Sequence, residues 1–226
     1  MEISENDFVD LKCPYCGEMN SFPAADLRVV RECVNCLNAL MMPEPGETTG
    51  RKLPLLFETR NVRLRQFKDD DWKELMDFGF EESEATSWLG TASQARLTDL
   101  ANTFYLAVET RSDGKLIDCV GLRFTDAEFN QIAISTGNLP KTRGVSAELD
   151  AQQVALAFCF EALRVHRAVS RCVGNDTESL EVLTKSGMRK EAEFIKGERN
   201  EANEWRNVVW FAMLDDEYSG RKTSVL

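Results

Sequence analysis

Two Cys-x-x-Cys pairs stand near the start of the chain, Cys13 with Cys16 in "KCPYCG" and Cys33 with Cys36 in "ECVNCL". Each pair can close a tight turn that aims two sulfurs at one point, and two such turns make a tetrahedral thiolate cage. Soft thiolates in that geometry suit Zn2+, and four protein ligands leave no open coordination position, so the ion would be structural. Iron in the same cage and dithiol redox chemistry at "CPYC" are the competing readings. The redox reading expects an apolar strand before the motif and a long helix after it, and "NDFVDLK" and "GEMNSFPAA" supply neither. Pro14 restricts the first turn, and Gly17 permits the positive φ that turns backbone N–H groups towards sulfur. The second turn lacks such a Gly, and Asn38 is expected to serve there less well.

A second stretch able to do chemistry is "TRGVSAELD", residues 142–150. Gly144 allows a turn that exposes consecutive N–H groups. Ser146 can cap the following helix or donate to a phosphate oxygen, and Arg143 adds a positive charge to the helix dipole. Glu148 and Asp150 fall in the first turn and oppose all of this. Taken alone, the stretch is either an anion cradle or the capped start of a buried helix.

The elements around these residues follow from periodicity. "VRLRQF" alternates as a strand, and "DDDWKELMDFGF" starts a helix with Asp71 and Glu74 spaced as a capping pair. A looser helical stretch covers "SQARLTDLANTF". "YLAVET" and "KLIDCVGLRF" are strands joined by a turn at Asp113-Gly114, and "QIAIST" is a further strand. A long buried helix is predicted from Ala147 to Val165. Then come the strand "RAVSRCV", the helix "ESLEVLTKSG" ended by Gly187, and the strands "RKEAEFI" and "WRNVVWFAML". The tail "SGRKTSVL" is expected to fray. Cys119, Cys159 and Cys172 sit singly in apolar runs and read as small core residues.

Composition bounds the function. The 226 residues carry a net charge of −11, which argues against nucleic-acid binding and favours basic partners such as cationic peptides or amines. No run approaches the roughly 18 apolar residues of a membrane span. The start "MEISENDFVD" has the character of neither a secretory signal nor a transit peptide, so a cytoplasmic protein is expected. Composition shifts at "MMPEPGETTGRK", giving a ribbon-sized unit over 1–42, a linker over 43–52 and a larger unit over 53–226. A unit of about forty residues is too small to bury a core without a staple.

From Phe57 to Tyr218 several runs follow one another in a telling order: "FETRNVRLRQFKDDD", "FCFEALRVHRAVSRC", "NDTESLEVLTKSGMRKEAEF" and "EWRNVVWFAMLDDEY". In this succession the chain resembles the GNAT superfamily of acyl-CoA-dependent N-acyltransferases, and it is most similar to the branch that acetylates N-terminal amines of ribosomal proteins. The resemblance implies a mixed α/β fold, a mainly antiparallel sheet flanked by helices, preceded here by a zinc ribbon. It also implies acetyl-CoA as donor. The pyrophosphate would rest on Arg143, Gly144, Val145, Ser146, Ala147 and Glu148, where Ser146 replaces the family's central Gly and Glu148 its last small residue. The pantetheine would run along Ile134, Ser135 and Thr136 and past Asn175, Asp176 and Ser179.

By the same comparison the family's thiolate-protonating Tyr falls on Leu183, and its strand Glu base falls on Ala133 or, with a slip, Gln131. Ser179 is the one matched donor that could face the thiolate. Asp126 and Glu128 precede the strand within reach of the site, and His166 belongs to a helix–strand turn. An amine acceptor attacking the thioester directly is the reading this supports, with a basic protein N-terminus among the acceptors. The alternative is a GNAT-like acyl-CoA sensor or adaptor that engages a partner through the ribbon. The oligomeric state is left open, a dimer included.

Overall fold

The computed structural model describes residues 8–23, 30–43, 48–54, 56–94, 96–98, 101–126, 130–139 and 144–223. At the N-terminal end, β1 (Phe8–Lys12) and β2 (Met19–Pro23) pair antiparallel around the first Cys turn. β3 (Val30–Glu32), β4 (Ala39–Met41) and β5 (Arg51–Lys52) form a three-stranded sheet around the second. The two turns are built alike. Gly17 N donates to Cys13 O and Leu37 N to Cys33 O, each at 3.0 Å. The left-handed residue is therefore Gly17 (φ 81°) in one and Leu37 (φ 58°) in the other. Leu37, and not Asn38, takes the position that Gly fills in the first turn, at a strain of roughly 1–2 kcal/mol.

The C-terminal part of the stretch read as a linker is hydrogen-bonded to the ribbon. Lys12 N donates to Thr48 O and Gly50 N to Lys12 O, both at 2.9 Å, while β5 adds to β4. Val30, Met41 and Leu53 also join the larger unit's main core, and Thr98 Oγ1 donates to Glu32 at 2.5 Å.

The rest of the chain builds one eight-stranded sheet. Its strands are β6 (Leu56–Glu58), β7 (Val62–Arg65), β8 (Phe104–Thr110), β9 (Leu116–Asp126), β10 (Gln131–Ser135), β11 (Arg167–Val173), β12 (Arg189–Arg199) and β13 (Trp205–Leu214). The order across the sheet is β12-β13-β11-β10-β9-β8-β7-β6. β10 and β11 pair parallel and the other neighbours antiparallel. Side chains alternate between two cores. Ile132 and Ile134 of β10 pack with Ala151, Val154 and Ala155 of α3 (Val145–Ala157), beside α4 (Thr177–Lys185). On the opposite face Ala107 and Cys119 meet Leu75 of α1 (Trp72–Asp77), Phe78 just after it, and Ala85 and Leu89 of α2 (Glu82–Gln94). These contacts give the mixed, mainly antiparallel α/β fold expected from the sequence.

Several local expectations are corrected. Asp71 caps nothing with its side chain. It is buried and takes a bidentate pair from Arg65 at 2.6 and 2.9 Å, with Glu109 on the other side of the guanidinium. Glu74 reaches across to accept from Leu116 N at 2.7 Å. The expected helix over "SQARLTDLANTF" is displaced: α2 ends at Gln94, where that stretch begins, because its buried stripe of Ala85, Leu89 and Ala92 is too small-sided to show as amphipathic. The long helix starts at Val145 and passes into a π-helical turn, Phe158–Leu163, which Arg164 ends in the left-handed region (φ 59°). Of the tail expected to fray, residues 219–223 close α5 (Asp215–Thr223), and residues 224–226 lie outside the described residues. No helix among the described residues is long and apolar enough to cross a membrane.

Candidate functional site

The parallel pairing of β10 and β11 runs from Gln131↔Arg167 to Ala133↔Val169 and stops there, although β10 continues to Ser135 and β11 to Val173. Beyond that point Ile134 O accepts a hydrogen bond from the Ser170 hydroxyl at 3.0 Å. Gln152 of α3, fully buried, donates to Ser170 Oγ at 3.2 Å and accepts from Thr136 Oγ1 at 3.2 Å, so side chains bridge where the strands part. The parting opens a cavity of about 560 Å³, lined among others by Gly121, Arg123, Ala133, Ser135, Arg171 and Trp210. A Cβ at Gly121 would stand 2.5 Å from Ser135 Oγ and 2.8 Å from the Thr103 methyl, so a side chain there would require both to shift.

Beside this split lies the start of α3. Gly144 (φ 86°) turns the chain into the helix, in a conformation costly for other residues. Val145 to Glu148 follow as the first turn, and Arg143 lies outside the described residues. Glu148 is half-buried and points back to the end of β10, where Thr136 Oγ1 lies 3.4 Å from its carboxylate. Burial, then the charges of Asp176 and Glu178, raise its pKa above the ordinary carboxylate range. Asp118, fully buried beneath it, accepts from Gly137 N and Cys119 N at 2.8 Å each. Burial pushes Asp118 up to about 6 against those two bonds. A helix N-terminus that would otherwise draw an anion is therefore faced by carboxylates.

Asp176 is the N-cap of α4: its carboxylate accepts from Ser179 N at 3.1 Å and from the Ser179 hydroxyl at 2.9 Å. Asn175 is exposed, and Leu183 is buried in the core. The sequence-derived residues thus gather on the end of β10, the first turn of α3 and the first turn of α4. His166 stands away on the turn into β11, 3.3 Å from Asp215. The Asp126 side chain and all of Glu128 lie outside the described residues.

Sequence reading missed the cavity wall formed by Arg123, Arg171, Glu198 and Trp210, because each sits on a strand whose two faces differ only in what covers them. Cys172, read as a core residue, also lines the cavity. Its burial, then Asp176 and Glu148, push its thiol up to about 11, leaving it a poor proton acceptor near neutrality. Cys119 and Cys159 are core residues as expected.

The four remaining cysteines converge. Sγ atoms of Cys13, Cys16, Cys33 and Cys36 all lie within 4.8 Å of one another. Cys13 is 3.7 Å from Cys36 and Cys16 is 3.6 Å from Cys33. A tetrahedron with Zn–S bonds of about 2.3 Å has edges of about 3.8 Å, so the donor set fits that ion. N–H groups surround the sulfurs: Tyr15 N on Cys13 at 3.4 Å, Asn38 Nδ2 on Cys36 at 3.3 Å and Asn20 Nδ2 on Cys33 at 3.6 Å. Backbone hydrogen bonding, led by Cys36 N–H, pulls the Cys33 thiol down to about 6, while against a hydrogen bond from Glu18 N–H burial and the neighbouring sulfurs push Cys16 up to about 11.

Comparison with known proteins agrees with this geometry. A curated relative, an uncharacterized N-acetyltransferase, YnaD, of Bacillus subtilis (strain 168), is 30% identical over 79 residues, which are 35% of this chain and 45% of that protein. The chain thus spans less than half the length of that relative. Among solved structures, a GCN5-related N-acetyltransferase from Brucella melitensis superposes with a TM-score of 0.61 at 23% identity, covering 73% of this chain and 80% of its own. The ribosomal-protein-S5-alanine acetyltransferase from Vibrio fischeri gives 0.57 at 18% identity, covering 72% and 98%. Residues 61–189, more than half the chain, match the family described as an acetyltransferase (GNAT) domain. A sheet that parts between its parallel strands, a helix start beside the gap and this match together place the chain in the GNAT acetyltransferase family.

Proposed function

We propose that the protein transfers the acetyl group of acetyl-CoA to a primary amine, by direct attack within a complex of all three. The observation that carries this reading is the parting of β10 from β11 beyond Ala133↔Val169, with a cavity open at the gap. The pantetheine arm would lie along Ile134, Ser135 and Thr136, and the pyrophosphate over Gly144 to Glu148, with Arg143 beside it. Asn175, Asp176 and Ser179 would border the arm from α4. The amine lone pair attacks the thioester carbonyl, the C–N bond forms, the C–S bond breaks, and the thiolate takes up a proton as the new amide gives one to water.

This chain's own residues supply positioning more than proton transfer. Glu198 is the one carboxylate among the described cavity-lining residues, and Arg171, together with Arg206, holds it well below the usual range. It is therefore no base near neutrality. An N-terminal amine, with a pKa of about 7.7–8.0, is substantially neutral without one, and joint binding supplies much of the rate by proximity. Zn2+ held by Cys13, Cys16, Cys33 and Cys36 would crosslink the two ribbon turns and take no part in the reaction. The units are proposed as ribbon 1–42, a connecting stretch 43–52 whose residues 48–52 pair with the ribbon, and acyltransferase 53–226, in the cytoplasm.

Amine-dependent thiol release from acetyl-CoA tests the reading. A second reading, an acyl-CoA sensor or adaptor, is favoured by one observation, the half-buried Glu148 facing the cradle. It expects binding of acetyl-CoA without turnover of any amine.

A further inference from the structure

Among the described residues α1 and α2 pack on β8 and β9, and residues of β9, β10, β11 and β13 line the cavity floor on which an acceptor would rest. Strand register places Arg123 of β9, Ala133 of β10 and Val169 of β11 side by side on that floor. Two residues further along β11, Arg171 stands opposite Trp210 of β13. All five line the cavity. In a chain with a net charge of −11, this wall is cationic. Its carboxylate, Glu198, is shared between Arg171 at 2.6 Å and Arg206 at 2.9 Å. Arg123 is exposed and makes no ion pair with any described residue. Two guanidinium groups, those of Arg123 and Arg171, thus line the cavity against one carboxylate, which Arg206 also holds from outside the lining. Further along the strands Arg167 and Arg189 are paired with Glu191 and Glu217.

Over distances shorter than the Debye length, about 8–10 Å, a ligand feels these local charges more than the net charge of the molecule. Guanidinium is also the group best shaped for carboxylate, with two parallel N–H donors. Building on the amine-acetylation reading above, we propose that the acceptor is a primary amine carrying a carboxylate close to the amine, and that Arg123 binds that carboxylate, with Arg171 beside it. This reverses the preference for cationic acceptors that overall composition suggests. Ala133 adds no charge beside Arg123, and Trp210 supplies an apolar wall for the acceptor's remaining atoms. The carboxylate could belong to a free amino dicarboxylate or to an acidic residue next to a peptide's N-terminus.

The test uses the full chain and its Arg123→Gln and Arg123→Glu variants. Acceptors are C-terminally amidated tripeptides with Asp, Asn or Lys at the second position, and free aspartate. Thiol release gives kcat/KM for each, and calorimetry gives the acetyl-CoA Kd. The Asp peptide should exceed the Asn peptide by about tenfold, with Lys lowest. Arg123→Gln should erase the preference and Arg123→Glu invert it, with the acetyl-CoA Kd unchanged within about twofold. Aspartate against the Asp peptide tells which source is used. Equal use of the three peptides, or a preference that both variants leave intact, overturns the proposal. So does a loss of acetyl-CoA affinity in the variants, which would assign Arg123 to the donor's phosphates. If no acceptor is turned over, the transferase reading fails by itself. Fluorescence anisotropy of C-terminally labelled Asp and Lys peptides on the acetyl-CoA-loaded protein then still decides: tighter binding of the Asp peptide, inverted by Arg123→Glu, supports the proposal, and anything else sinks it.

Discussion

Glu148 occupies the turn where a pyrophosphate would gain most from backbone N–H groups, and its half-buried carboxylate is poorly screened there. A unit charge about 10 Å from another at an effective dielectric of about 20 is worth roughly tenfold in affinity. Glu148→Gln should therefore tighten acetyl-CoA binding by about tenfold at alkaline pH, measured by calorimetry. Because burial and its acidic neighbours raise the Glu148 pKa, the carboxyl gains its proton earlier than an ordinary one as pH falls. Wild-type affinity should then rise on acidification, and the Gln variant should lose that dependence. Ser179 carries the opposite expectation. Its hydroxyl is already given to Asp176 at 2.9 Å, as part of the α4 cap. Ser179→Ala should lower kcat by less than about tenfold, since a committed donor assists thiolate departure little. The proposed site positions of these residues come from the order of motifs in the sequence. Their partners were not legible there: nothing in "GNDTES" reveals that Asp176 takes both donors of Ser179.

At the scale of elements, α1 is fastened to the sheet by charge. Arg65 of β7 lies buried between Asp71, at the start of α1, and Glu109 of β8. Removing the cation takes the paired guanidinium from Asp71 in the core and leaves Glu109 with Arg63 at 3.2 Å. Arg65→Met should cost about 3–5 kcal/mol in denaturant unfolding. The triple variant with Asp71→Asn and Glu109→Gln should recover much of that loss. Sequence reading took Asp71 for a helix cap because its spacing from Glu74 fits one, but spacing cannot distinguish a local acceptor from a partner brought near by strand pairing. The strands themselves were legible from two-residue alternation. The site between β10 and β11 was legible only in outline, since "QIAIST" and "RAVSRCV" carry no sign that their pairing ends after three residues. The long helix showed its apolar stripe but hid its π turn, because a stripe wide enough to be buried all round tolerates either winding.

For the whole molecule, the ribbon and the acyltransferase unit share a contact without sharing the cavity. Val30, Met41 and Leu53 pack on the main core, and Glu32 bonds Thr98. None of these lines the cavity. Chelating the proposed zinc should unfold the ribbon, whose own core among the described residues is Leu11, Cys13, Cys33 and Leu40 with a few neighbours. It should also lower the melting temperature of the remainder by a few degrees, while acetyl-CoA Kd stays within a few fold. Differential scanning calorimetry and binding with and without chelator check both. The thiolate cage was legible from Cys spacing alone, because four ligands at fixed offsets admit few geometries. The cationic cavity wall in an acidic chain was not, because composition averages over the surface. The account as a whole rests on acetyl transfer to an amine without a protein base, and steady-state thiol release against pH tests this most directly. With an N-terminal peptide amine, kcat/KM should rise up to about pH 8, and with a lysine-like amine of pKa about 10.4 it should keep rising beyond about pH 9. Thiol release that no amine accelerates, or a single inflection near pH 6–7 shared by both amines, would contradict it.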